Sequence, residues 1–290
     1  MPPGPRRIPV LGSLPFISQD RGLLSWVLDP SVISHKIATV ALGPMKLFVI
    51  NDFELAKDLF GRDDFTGRGS MSEFWFKHKG FAGKVYGIIS TDGSHWRRER
   101  RFGLKALKGL GFGKKSLEEI INIEVEEIIK SFLSEKEEFL LSTNFNAPII
   151  NMLWQIVAGH RFTPDDKEGM EILESVNRMF ELMFYMDVYP LKIMEMFPKA
   201  TNYAEMVNIL NMQKNYITKT IDEHESTLEL EHPRDFVDIY LSEMKNDENF
   251  SKHDLVLNLM DFLQAGTETS STTLKWVVLY LTVYQDVQDK

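Results

Sequence analysis

From Ser251 to Tyr284 the chain runs without a proline and keeps a helical period, and near its middle it reads DFLQAGTETSSTTLKW over 261–276. One helix of that span would extend ~50 Å at 1.5 Å per residue, which suits a central element threading a large α-rich domain. Asp261, Ala265 and Thr269 recur every four residues and so stack on one helix face. Ala265 and Gly266 are the smallest side chains available, so something bulky and flat can approach the backbone beside them. Glu268 and Thr269 set an acid next to an alcohol, a pair able to pass protons. The plainer reading is a packed helix with a stray glycine. Against it, Gly266 caps nothing and costs ~1 kcal/mol relative to Ala at mid-helix.

The length of 290 residues allows one large domain or two small ones. With 43% hydrophobic residues, 20 Phe and 14 Met, the chain can build a substantial core. A net charge of −9 argues against nucleic acid as a partner. The chain has no cysteine, which excludes a disulfide framework and any thiolate-held metal within it. No apolar run approaches the ~20 residues needed to span a bilayer, the longest being Trp276 to Tyr284. The start, MPPGPRRIPVLGSLP, lacks the apolar stretch of a signal peptide or anchor, so the chain is expected to be soluble.

Residues 1–15 form a proline-rich lead-in without regular structure. KIATVALG and MKLFVIND flank Gly43-Pro44 as a β-hairpin, and Asn51 or Asp52 then caps a short helix, FELAKDLF. Residues 61–92 hold no clear helix. Helical periods then cover about 94–109, 115–134, 143–160, 166–187, 199–226, 234–245 and 251–284. The expected class is mainly α, with a long central helix and a small amino-terminal hairpin. The chain stops at Lys290 without a terminator signal after the last helix and looks unfinished.

Within GSHWRRERRFGLKALKG, Trp96, Arg100, Leu104 and Leu107 share a face, with Arg97, Arg101, Lys105 and Lys108 on the adjacent one. If the first face is turned to the core, Arg100 needs an anion, because an unpaired buried charge is costly. The Trp96 indole N–H could donate to the same anion. A solvated amphipathic helix is the alternative. The neighbouring basic stripe is either solvated or a dock for an acidic partner. FELMFYMDVYPLKIMEMFP over 180–198 is core, the adaptable wall of a hydrophobic ligand site, or a flap touching a membrane. The histidines are read as offering no i, i+4 pair and no carboxylate at a metal-ligand spacing. No nucleophile elbow, phosphate loop or dinucleotide fingerprint is present.

Taken together, PPGPRRIPVLGSL, LGPMKLFVINDFELAKDLF, FTGR, GIISTDGSHWRRERRFGLKALKGLGFGKKSLEE, GHRF, RDFVDIYLSEM and DFLQAGTETSSTTLKW resemble the cytochrome P-450 superfamily. The likeness is to its microsomal haem-thiolate monooxygenases of the animal family-two type, over the whole of 1–290. It implies an incomplete P-450 fold. Trp96 and Arg100 would hold a propionate of heme b, while Ala265, Gly266, Glu268 and Thr269 would lie across the distal haem face, with Thr269 and Glu268 catalytic. Substrate would be met at about 70–89, 180–196 and 258–265, including Asp261, Phe262 and Ala265. Gln264 stands where many relatives carry Gly and would narrow or polarise the substrate side.

The resemblance also implies electrons from NADPH through a cytochrome reductase, with cytochrome b5 as a further partner, and Arg97, Arg101, Lys105 and Lys108 as the docking stripe. The place would be the cytoplasmic face of the endoplasmic reticulum membrane. The family's iron is held by a Cys in a loop near the carboxyl end, preceded by a Glu-x-x-Arg helix. Both are missing here, so no residue of this chain is assigned to the metal. The reading is therefore an amino-terminal portion of a monooxygenase. The competing reading is a truncated, non-catalytic helical protein that binds hydrophobic ligand or partner without functional haem.

Overall fold

The computed structural model describes residues 1–16, 27–43, 45–67, 73–81, 84–134, 145–188 and 190–289. The proline-rich lead-in is pinned rather than loose: Thr39 N–H donates to Pro3 O (2.7 Å) and Ser13 N–H to Ala41 O (2.6 Å). A Cβ on Gly12, which sits at φ +62°, would lie 2.4 Å from Ala41 O, so only glycine lets the lead-in press against the strand. That strand, β1 (Ile37–Leu42), pairs antiparallel with β2 (Met45–Ile50), from Ile37 opposite Ile50 to Leu42 opposite Met45. Val32, Ala38, Val40 and Leu42 form a small core of their own under this hairpin.

Val32 belongs to a short helix, α1 (Pro30–Ile33). Asn51 Nδ2 closes its end by donating to Val32 O and His35 O, which leaves Asp52 to cap α2 (Phe53–Phe60) through the Leu55 N–H at 2.9 Å. Segment 61–92 departs from expectation. It contains α3 (Glu73–Lys79) and a two-stranded piece, β3 (Gly80–Phe81) with β4 (Lys84–Val85). A helix this short cannot sustain itself. Burial of Phe74 and Trp75 holds it, with Phe74 edge-on to Tyr203 at 5.8 Å.

The remaining helices follow the sequence periods closely. They are α4 (Gly93–Gly109), α5 (Ser116–Ser134), α6 (Asn146–Ala158) and α7 (Lys167–Val188). After them come α8 (Leu191–Met196), α9 (Tyr203–Ser226), α10 (Phe236–Asn246), α11 (Lys252–Val283) and a final turn, α12 (Gln285–Gln288). In the Met- and Phe-rich segment, Pro190 stands at the cap of α8. Met179, Leu182, Met186 and Met194 are buried core, while Ile193, Met196 and Phe197 stay exposed. Gly159, at φ +69°, ends α6, and a Cβ there would meet Asp235 Oδ2 at 2.8 Å. Asp235 in turn caps α10 and ties it to the end of α9 through His224 Nε2 at 2.8 Å. Helix α11 packs on α6, α7, α9 and α10. No helix among the described residues is long and apolar enough to cross a membrane.

Candidate functional site

Helix α4 presents its inner side through Glu99, Gly103, Ala106 and Leu107. Arg100 and Leu104 are exposed and Trp96 is half-buried, so of the two alternatives the structure has the solvated one: the Trp96–Arg100 strip does not face the core. The Arg100 guanidinium lies 5.5 Å from the Trp96 ring centre, a cation–π contact in solvent. Trp96 Nε1–H donates to Ile88 O at 3.1 Å. Ile88 and Ile89 N–H in turn donate to the buried Asp261 Oδ2, at 2.7 and 2.8 Å. The loop at 87–89 thus bridges α4 and α11 and brings the Trp96–Arg100 pair to the Asp261 end of the central stripe. Gly87 makes the bridge possible: at φ +89°, a Cβ would sit 2.5 Å from Asp261 Oδ2.

Along α11, the expected site residues divide by face. Asp261 is the loop anchor just described. Phe262 packs edge-on against Phe236 at 5.3 Å. Gln264, expected beside the substrate, is buried and donates to Gln213 Oε1 (2.8 Å), whose Nε2 donates to Ser175 Oγ (3.0 Å). Gly266 is small because a Cβ would lie 2.7 Å from Leu153 Cδ2 and 3.4 Å from Ile150 Cδ1, so its missing side chain lets α6 approach. Ala265 and Thr269 are the exposed pair. Thr269 Oγ1–H donates to Ala265 O at 2.8 Å, and Glu268, half-buried, accepts from Thr272 Oγ1 at 2.7 Å. Thr267, Ser271 and Thr273 likewise donate to carbonyls one turn back. The hydroxyl density therefore closes on the helix backbone.

Arg97, Arg101, Lys105 and Lys108 are exposed. The first three line an open basic cavity of about 370 Å³ between α4 and α10, together with Arg98, Phe102, Glu243 and Phe250. Sequence reasoning missed the buried polar knot behind it. Glu99 is wholly buried and accepts from Tyr240 OH (2.8 Å) and Asn258 Nδ2 (2.9 Å), both on Oε2. Burial and the nearby Glu99 charge push the Tyr240 phenol far up, which keeps it a donor. The signal was available as His95 and Glu99 at i, i+4, a spacing that the reading of the histidines overlooked.

Residues 2–290 match the family model described as Cytochrome P450. Relatives of similar sequence include rat cytochrome P450 2B2 (Rattus norvegicus), 33% identical, and rat cytochrome P450 2C7, 32% identical. A farnesoate epoxidase from the silk moth (Bombyx mori) is 30% identical. All three alignments cover 100% of this chain and 60% of the relative, so the chain spans about 60% of the length of the curated relatives it matches. The chain belongs to the cytochrome P450 family.

Proposed function

We propose that the complete polypeptide is a haem-thiolate monooxygenase that inserts one oxygen atom from O₂ into a hydrophobic substrate, with electrons from an NADPH-dependent reductase. The observation that carries this is the pair Ala265 and Thr269, a small and a hydroxyl side chain exposed one turn apart at mid-helix, with Gln264 and Thr267 buried beside them. The residues fit part of a haem site. Arg100 has no carboxylate partner among the described residues and could pair a propionate, and Trp96 Nε1–H could join it by leaving Ile88 O. The thiolate ligand is not among these residues, since the chain has no cysteine. When bound, haem supplies the iron centre at which O₂ is reduced.

Everything else falls to the chain's own side chains. Ala265 leaves room over the stripe for a flat group. Thr269 Oγ1–H, now on Ala265 O, would turn outward to offer its proton to a molecule lying there. Glu268, within a turn of it and accepting from Thr272, would relay a proton from solvent to restore it. The exposed Arg97, Arg101, Lys105 and Lys108 would dock the acidic surfaces of the reductase and of cytochrome b5, at the cytoplasmic face of the endoplasmic reticulum membrane. The silk-moth epoxidase and the rat enzymes are about equally similar to this chain, so the proposal stops at a hydrophobic small molecule.

In the complete protein, Thr269→Ala should leave haem content unchanged and divert electrons from product to peroxide or water, with product formation falling ~10²-fold. Unchanged coupling of NADPH consumption to product would refute the role. The missing cysteine favours a second reading for the 290 residues alone, a helical protein without thiolate-held haem. Chemically reduced in the presence of haem and then exposed to carbon monoxide, the chain should show no thiolate-type Soret band, and such a band would overturn that reading.

A further inference from the structure

His95 and Glu99 lie one turn apart on α4, and Asp254 and Asn258 one turn apart on α11. A ring nitrogen of His95 and oxygens of Glu99 and Asp254 all fall within 4.8 Å of one another. Glu99, Asp254 and Asn258 are 0%, 2% and 1% exposed, so water does not satisfy them. His95 Nε2 lies 2.9 Å from Asp254 Oδ1, an ion pair when the ring is protonated, and neither atom makes a hydrogen bond. Two ligands at right angles on a cation with bonds of 2.0–2.1 Å stand ~3 Å apart, and neither points at the other. Asn258 Oδ1 is a further buried oxygen without a hydrogen bond, on the amide whose Nδ2 donates to Glu99.

We propose that His95, Glu99, Asp254 and Asn258 form a site for one divalent cation of the Mn²⁺ or Zn²⁺ class, which clamps α4 to α11. One imidazole with carboxylate and amide oxygens suits that class better than Ca²⁺, which takes six to eight oxygens. Supporting bonds already hold the ligands: Ser251 Oγ–H donates to Asp254 Oδ2 at 2.6 Å, and Tyr240 OH and Asn258 Nδ2 fix Glu99. The cation would neutralise two buried carboxylates. It would also lock His95, the neighbour of Trp96, onto the same helix that Asp261 anchors.

Arg98 is the competitor. Its Nε lies 3.2 Å from Glu99 Oε1, and its Nη2 donates to His95 Nδ1 at 2.8 Å. That bond makes Nδ1 an acceptor, whereas a cation on Nε2 needs the ring hydrogen on Nδ1. Loading the site therefore requires Arg98 to swing away, and it separates a cation site from a plain ion-pair cluster.

The test uses the 290-residue chain, stripped with a chelator and titrated with Zn²⁺ and, separately, Mn²⁺ by calorimetry and thermal melting. One saturable site with a raised Tm is expected for at least one of the two ions. His95→Ala and Asp254→Asn, each checked for folding by far-UV circular dichroism, should weaken binding at least ~10-fold. Arg98→Gln should tighten it. Absence of one-site binding, or binding indifferent to both ligand variants, would overturn the proposal. An Arg98→Gln chain that binds no more tightly than the parent would overturn the competition on which it rests.

Discussion

The two halves of α11 have the same backbone and opposite surroundings. From Asp254 to Gln264 nearly every residue is buried, polar ones included, and Asp254, Asn258, Asp261 and Gln264 reach across to α4, the 87–89 loop or α9. Beyond Thr272 the chemistry inverts. Trp276, Val277, Leu279, Tyr280, Val283 and Tyr284 are apolar and exposed, with Trp276, Tyr280 and Tyr284 laddered at ring spacings of 5.8 and 6.2 Å. Buried polarity with partners marks a half whose position this chain fixes for itself. An exposed apolar face marks a half the described residues leave uncovered. Ala265 and Thr269 stand at the changeover.

The largest effect should come from the inner half. Asp261→Ala leaves the N–H groups of Ile88 and Ile89 without their acceptor and releases the loop that holds Trp96. A loss of about 3 kcal/mol in a urea melt is expected. A loss below about 1 kcal/mol would show that the loop is held by other means and would blur the contrast between the halves.

A smaller effect tests the changeover itself. Gly266→Val drives methyl groups toward Leu153 and Ile150 and should cost about 1–3 kcal/mol. Ala265→Val, one residue away on the exposed side, should cost under about 1 kcal/mol, set mainly by helix propensity. Equal costs would mean that the two residues do not face different surroundings. The smallest effect belongs to the outer half, where Tyr280→Ser should change stability by no more than about 0.5 kcal/mol. A clear destabilisation there would show that this face is covered after all.

The helices were legible because their periods are long and uninterrupted. Seven spans read from spacing match α4 to α7 and α9 to α11 within a few residues. The short helix α3 was not legible, because Glu73–Lys79 is below the length at which local propensity decides and Phe74 needs Tyr203, distant in sequence, to hold it. Among the proposed site residues, Trp96, Arg100, Ala265 and Thr269 stood out by residue type and spacing. Their neighbours' tasks could not. Gly266 looked like room for a ligand and is room for Leu153. Asp261 and Gln264 looked like pocket lining and are ties to the 87–89 loop and to α9. His95 and Glu99 showed their spacing openly, but a pair on one helix gains meaning only when Asp254 and Asn258 arrive from another.

The sequence alone determined the long helices and the amino-terminal hairpin, the family likeness and the absence of a thiolate, because period, motif order and composition are properties of the chain taken in a line. Which side of α11 is open, and whether a given acid or glycine serves packing or chemistry, was decided by the tertiary structure. The physical reason is that a helix offers several faces at similar spacing, and a side chain's role follows from what fills the space opposite it: Leu153 against Gly266, the Ile88 amide against Asp261, and among the described residues solvent against Ala265 and Thr269.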